Sequence, residues 1–357
     1  MESPDQRHSL SALHLQLPQP VHALHRFQND SISTNRNVQS YCFWLNAFQA
    51  SLLATQMKQL DPLSPASRDL ASGRYRIRKL DAAGLFSITI PWMRDAGWNP
   101  GLHDAETFYS ADPDGFLVGE LDGEPIATVS AVRYDDAFGF IGCYMVSEPF
   151  RGKGYGLAIH EAARLHLLGC TQGGDGVLEN VEKYKRIGRT FAYRNARYEG
   201  VKKDGPRRKR QDVLDACHIS LAQIAALDAA CFPAERSAFL KAWLHQPGAH
   251  SLALQDQNRD TPLSSYGVIR PCFRGWKIGP LFARSAEAAH ILFEELIHCI
   301  PVGDPYVLDV PETNLAAMDM VHQQGMKEVF ATARMYTGQF PKVNLDWVFG
   351  ITTFELG

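Results

Sequence analysis

The 357-residue sequence has no Cys-x-x-Cys pair, and its seven cysteines, at 42, 143, 170, 217, 231, 272 and 299, are odd in number and widely spaced. Zinc-ribbon and disulfide-framework folds are therefore set aside, and free thiols in a reducing, cytoplasmic compartment are expected. No run approaches the roughly 18 apolar residues of a membrane span, so no membrane partner is expected. Nor does a charged stretch followed by a short apolar run open the chain, as a secretory signal would. Charge of one sign is also lacking: 36 Lys+Arg stand against 39 Asp+Glu. That balance argues against a strongly basic nucleic-acid binder, and no nucleic-acid partner is expected. His-Glu-x-x-His is absent and no other histidine–carboxylate spacing suits a metal, so none is expected.

At roughly 100–200 residues per domain, the length suggests two domains. Residues 1–71 differ from the rest: the opening is rich in Ser, Gln, His and Asn, and no lysine precedes Lys58. This extension is expected to be largely disordered, because it offers little apolar surface to offset ordering entropy. Residues 40–57 could form one amphipathic helix, and a translation start at Met57 is a blander alternative. LDPLSPASRDLASG, 60–73, reads as a tether.

From 72 to 201 the pattern is strand (YRIRKLD), a helix interrupted by Pro91, then strands GFLVGEL, IATVSAVRYDD and FGFIGCYMV joined by tight turns. A helix (LAIHEAARLHLLGC), a short strand (DGVLEN), a helix end (YKRIG) and a strand (FAYRNARYEG) follow. The basic run KKDGPRRKR lies in 202–211, which reads as a solvated interdomain linker. Residues 212–357 repeat the same element order. The fold class is α/β in the mixed, α+β sense: tandem domains, each a mostly antiparallel mixed sheet flanked by helices. The apolar tail VNLDWVFGITTFELG is expected to complete a sheet, within the chain or at a homodimer interface.

The chemistry concentrates in Tyr144–Leu168. A strand leads to Arg151-Gly152-Lys153-Gly154-Tyr155-Gly156 and then directly into a helix. Glycines permit a turn whose backbone N–H groups converge, and the helix start adds partial positive charge, an arrangement suited to a pyrophosphate. No Gly-Lys-Ser/Thr follows, so it is not a Walker loop. The preceding strand belongs to an antiparallel meander, so it is not a dinucleotide fingerprint either.

Here the sequence resembles the GCN5-related N-acetyltransferases, whose loop Gln/Arg-x-x-Gly-x-Gly/Ala is matched by Arg151, Gly154 and Gly156. The resemblance implies acetyl-CoA as co-substrate, its pyrophosphate held by the loop and its pantetheine arm paired with the backbone of Met145 and Val146. It also implies a gap where FGFIGCYMV parts from GVLEN. Tyr184 and Gly188 match Tyr-x-x-x-Gly, which makes Tyr184 the implied acid for the departing thiolate; a phenol can supply that proton at short range. The asparagine often found seven residues earlier is replaced by Val177, with Asn180 a weak substitute.

Glu120 is the candidate base for the incoming amine, with Asp104 and Glu106 weaker. Trp92, Trp98, Phe108 and Tyr109 are acceptor-pocket candidates, with ordinary core packing as the alternative. Arg236, Arg270, Asp309, Asn314 and Tyr336 could add polar contacts from the second domain. Cys143, in an apolar strand without a histidine partner, reads as core rather than nucleophile.

The second copy is degenerate. ARSAEAA replaces the glycine loop, and Val321 takes the position of Tyr184, with Asn314 seven residues before it. Further segments, among them CFPAERSAFLKAWL, WKIGPLFA, LDVPETN and TFELG, resemble a two-domain subgroup of the same family. The expected function is acetyl transfer to a primary amine of a small molecule. A non-catalytic acyl-CoA sensor and a protein N-acetyltransferase are the alternatives.

Overall fold

The computed structural model describes residues 60–206, 210–255 and 262–357. The expected disorder of 1–59, the helix at 40–57 and part of the basic run lie outside the described residues. Among those described, every strand belongs to one continuous sheet.

The first half contributes β1 (Tyr75–Lys79), β2 (Phe116–Leu121), β3 (Glu124–Arg133), β4 (Phe138–Val146), β5 (Thr171–Val177) and β6 (Arg189–Val201). The second contributes β7 (Val213–Asp215), β8 (His250–Leu254), β9 (Ser265–Pro271), β10 (Trp276–Ala283), β11 (Pro305–Pro311), β12 (Lys327–Thr337) and β13 (Val348–Gly350). Their order is β1-β2-β3-β4-β5-β12-β6-β11-β10-β9-β8-β7, with β13 on β10. In each half four antiparallel neighbours are followed by one parallel pairing, β4–β5 and β10–β11.

The halves are not spatially sequential, however. β12 lies between β5 and β6, and β6 lies between β12 and β11. Each half has given its last long strand to the sheet of the other. A boundary drawn along the sequence at 202–211 cannot show this exchange, because strand pairing is non-local. The linker region is also less free than expected: Lys202 is buried, its N–H bonded to the Asp304 carbonyl.

The helices follow their sequence signals. α1 (Pro65–Ala71) carries Pro at its start and a side-chain cap from Ser64, so the stretch read as tether is folded. The helical segment before β2 comprises α2 (Ala82–Gly84), a π-turn over Leu85–Thr89, and α3 (Ile90–Asp95). The wide turn makes room for Pro91, which lacks an N–H and would crowd the preceding turn. α4 (Asp104–Ala111) packs against the π-turn, and α5 (Tyr155–His166) covers β2, β3 and β4. α6 (Val181–Arg186) follows β5. In the second half α7 (Leu221–Cys231) and α8 (Ser237–Leu244) precede β8, α9 (Ala286–His298) links β10 to β11, and α10 (Leu315–Gln323) links β11 to β12. The largest apolar core joins Met93, Phe108 and Phe116 of the first half to Phe239, Trp243 and Leu356 of the second.

Of the tail, expected to complete a sheet, only β13 does so. It pairs with β10 of the same chain, and residues 351–357 then leave the ladder.

Candidate active site

β4 and β5 pair from Phe138↔Thr171 to Ile141↔Gly174 and then separate. Beyond Ile141, β4 pairs only with β3. The fork opens a cleft of about 1090 Å³ whose walls include Gly142–Ser147 of β4 and its exit and Gly174–Val177 of β5. Cys143, at the start of the opening, has φ +46°, and its carbonyl accepts a hydrogen bond from the Thr128 hydroxyl at 2.8 Å. A non-glycine residue in this region is strained, and here the strain accompanies a bulge that redirects β4 at the cleft.

The parting strand β5 begins at Thr171, earlier than the DGVLEN reading, because Thr-Gln-Gly-Gly has low strand propensity. Its glycines serve close approach. A Cβ on Gly173 would meet the Phe140 ring, and one on Gly176 would collide with the ring of Tyr184. Tyr184, on α6, thus lies directly over β5 on the cleft wall. Burial raises its pKa above the usual phenol value, and Asn180 and Arg189 act in the opposite sense. Arg189 is itself buried and lines the cleft, and burial pulls its pKa down to about 10.

At the other end of the cleft Gly152 and Gly154 have φ of +73° and +94°. Gly154 occupies the N-cap of α5 without a side-chain cap, so the first N–H groups of a 12-residue helix have no capping side chain. Arg151 closes the loop by donating from Nε to the Val146 carbonyl at 2.9 Å. Met145, Val146, Arg151, Gly152, Gly154, Gly156 and Asn180 all line the cleft. Lys153 and Tyr155 do not. The Lys153 ammonium lies over the Phe150 ring, and Tyr155 is buried, its hydroxyl donating to Asp69 and so anchoring α1 beneath the loop.

Of the acceptor candidates, Trp92 and Trp98 line the cleft. Phe108 is buried against Trp243, with ring centroids 6.2 Å apart, and Tyr109 packs on the same core. Asp309 is held in a buried pair with Arg197. Asn314 caps α10 and donates to the carbonyls of Leu345, Asp346 and Val348. Tyr336 is buried beside Phe138 and Phe232. Arg236 and Arg270 are fully buried and paired with Asp228 and Asp104, respectively. Glu120 stands apart from the cleft, ion-paired to Arg78 at 2.5 Å on β1. Glu106 does not line the cleft either. These departures share a cause: sequence places a residue on an element, whereas burial and partner choice depend on what packs there from the other half.

Several lining residues were not anticipated: Asp175, His160, Phe330 and Thr332, and Phe354 and Glu355 from the tail. For Glu355 a signal existed, namely a carboxylate within the apolar ending TFELG. His160 is a largely buried imidazole, 13% exposed, whose pKa falls to about 4, through burial first and then Arg189 and Arg164. Cys143 donates its thiol to Met93 Sδ at 3.8 Å, and burial raises its pKa far above a reactive range. Among the described residues no group of three or more His, Cys, Asp and Glu could hold a metal ion, and no helix is long and apolar enough to cross a membrane.

The second half repeats the fork and closes it. β10 pairs with β11 only over Trp276–Ile278, and β13 then pairs with β10 at Leu281 and Phe282. Ile351 N–H bonds the Asp309 carbonyl of β11 at 2.8 Å, so the tail joins both strands of the gap. At the corresponding helix start, Ser285 caps α9 by accepting from Ala288 N–H.

A forked sheet beside an uncapped, glycine-lined helix start defines an acyl-CoA-type transferase fold, present here as an open and a closed copy. The comparisons agree. The acetyltransferase (GNAT) family profile matches residues 82–170, and a second acetyltransferase (GNAT) domain profile matches 224–350. The holothin acyltransferase of Pseudoalteromonas sp. (strain SANK 73390) is 30% identical over 278 residues, 76% of this chain and 91% of that protein. A proposed acetyltransferase from Pyrococcus horikoshii superposes with TM-score 0.67 at 21% identity, over 80% of this chain and 96% of that one. A GCN5-related N-acetyltransferase from Sphaerobacter thermophilus gives 0.51 at 13% identity, over 76% and 99%. The chain belongs to the GNAT acetyltransferase family, with two acetyltransferase-like domains in tandem.

Proposed function

We propose that the chain is an acetyl-CoA-dependent N-acyltransferase that passes its acyl group directly to a primary amine of a small molecule. The observation that carries this reading is the continuous cleft from the uncapped start of α5, along Met145 and Val146, to the fork at Ile141 and Gly174. The loop amides and helix start suit the pyrophosphate, and the open edge of β4 suits the pantetheine arm. Tyr184 is the proton donor to the departing thiolate, with the buried Arg189 cation offsetting the charge left on its oxygen. The cleft continues to Trp92 and Trp98, leaving room for an acceptor, which favours transfer over a sealed acyl-CoA sensor. The Pseudoalteromonas relative is named a holothin acyltransferase, which supports offering other acyl-CoAs as well as acetyl-CoA.

The test is release of free CoA from acetyl-CoA across a panel of primary amines. Amine-dependent, saturable release is expected. Tight acetyl-CoA binding without release from any amine would remove the reading.

A further inference from the structure

Glu355 is 3% exposed and lines the cleft, and its Oε2 has no hydrogen-bond partner. Leaving a buried carboxylate oxygen unmatched is costly, so such a group calls for a function. Its backbone is fixed by the turn that ends the chain. Thr353 Oγ1 accepts from the N–H groups of Glu355 at 3.2 Å and Leu356 at 2.9 Å, and the Tyr134 hydroxyl donates to the Leu356 carbonyl at 2.9 Å. The Glu355 carbonyl presses on Gly142, where any Cβ would collide with it. Gly142 is the first β4 residue beyond the last β4–β5 pair, so the tail sets the backbone of Glu355 at the vertex of the fork.

Three cations lie within electrostatic range of Glu355, but their hydrogen bonds go elsewhere. Arg197 is held by Asp309 and the Trp98 carbonyl, Arg270 by Asp104, and Lys277 reaches the Trp98 carbonyl at 3.4 Å. Oε2 itself is left without a hydrogen-bond partner. Trp92, Trp98, Phe330 and Phe354 supply aromatic wall to the same cleft.

We propose that Glu355 is the acceptor-amine site, taking a primary ammonium carried on an apolar body of aromatic size and receiving its proton. This rests on the acyltransferase reading above. The ammonium gives one proton to Glu355, and the neutral nitrogen attacks the thioester carbonyl. A C–N bond forms, the C–S bond breaks, and Tyr184 protonates the sulfur. The nitrogen loses a second proton as the amide forms. One of the two amine protons restores Tyr184, and the other leaves to solvent from Glu355.

The full chain loaded with free CoA is titrated calorimetrically with 2-phenylethylamine and its uncharged counterpart 2-phenylethanol. The amine is expected to bind at least about tenfold more tightly, as a charge-assisted bond implies, and Glu355→Gln to erase that preference with CoA affinity unchanged. Equal or absent binding of both probes by the unmodified chain, or an unchanged preference in Glu355→Gln, overturns the proposal. The comparison on the unmodified chain decides even where the variant does not fold. In turnover, the Glu355→Gln rate should climb about tenfold per pH unit toward the amine's own pKa near 10, as free amine replaces the missing base. A rate that does not climb overturns the proton-accepting role. Failure of the acyltransferase reading looks different: a Glu355-dependent amine preference with no amine-dependent release of CoA.

Discussion

Arg334 on β12 stands directly opposite Asp175 on β5, with two guanidinium nitrogens 3.0 and 2.7 Å from its carboxylate oxygens. Arg197 on β6 stands in the same relation to Asp309 on β11, at 2.7 and 2.8 Å. In the internal repeat β12 corresponds to β6 and β5 to β11, so the two buried pairs occupy equivalent positions. Each joins an exchanged strand to the sheet that receives it. In both arginines burial opposes the charge and the facing aspartate outweighs it, so both pKa values rise.

Removing one partner of such a pair leaves a buried charge uncompensated, at a cost of about 3–5 kcal/mol. Asp309→Asn is therefore expected to lower the urea midpoint strongly. It should leave the acetyl-CoA affinity of the folded fraction unchanged, because Asp309 does not line the cleft. A selective loss of acetyl-CoA affinity would place Asp309 in the cofactor site.

Gly154 adopts φ +94°, and a Cβ there would meet Ala66 at 3.1 Å, Ser64 at 3.1 Å and Leu60 at 3.3 Å. Gly154→Ala must therefore shift either the loop or α1, at about 1–2 kcal/mol for the backbone alone. The expected outcome is an acetyl-CoA affinity weakened by about tenfold. Calorimetric titration gives the answer, and unchanged affinity would remove the loop from pyrophosphate binding.

Tyr184→Phe keeps the ring against Gly176 and deletes only the hydroxyl. A general acid contributes about 10²–10⁴-fold, so kcat should fall by at least about a hundredfold with acetyl-CoA affinity little changed. Because burial raises the pKa of Tyr184, the phenol stays protonated throughout the neutral range. Any alkaline loss of kcat due to Tyr184 should begin above its ordinary value near 10. Loss near pH 8 that disappears in Tyr184→Phe would contradict this assignment of its protonation state.

His160 gives stability a pH window. Its imidazole titrates at about 4 when folded against 6.5 ordinarily, so the folded chain holds it neutral where the unfolded chain would protonate it. Its contribution, on the order of 3 kcal/mol, is intact above pH 6.5 and is lost as pH falls toward 4. His160→Gln should flatten the fall in thermal midpoint between pH 6.5 and 4.5. An equally steep fall in the variant would assign the acid sensitivity elsewhere.

How much of this was legible in the sequence depended on whether the cause was local. The glycine loop, the meander and the repeat of element order are written in turn residues and hydrophobic period, and they matched the structure closely. Strand propensity sets the start of β5 too late, because Gly173, Gly174 and Gly176 serve close approach, which overrides it. The strand exchange and the route of the tail have no local signature. Neither does the place of Glu355, which depends on contacts between residues more than 200 positions apart, such as Tyr134 with Leu356. Glu120 had the right residue type on a strand, but Arg78 beside it satisfies the carboxylate away from the cleft.

The closed second copy fixes a stoichiometry. Two independent blocks stand there: Ser285 takes an N–H at the start of α9, and β13 and Ile351 fill the gap between β10 and β11. Either alone would hinder a second CoA, one at the pyrophosphate and the other along the pantetheine arm. One CoA per chain is therefore expected. Ser285→Gly frees the helix start at a cost of only a few tenths of a kcal/mol, yet should leave that ratio at one, because the strand gap remains filled. Calorimetric stoichiometry on both proteins decides the matter: two sites in the unmodified chain would show the second fork to be open, and two in Ser285→Gly would show the cap to be the whole of the block.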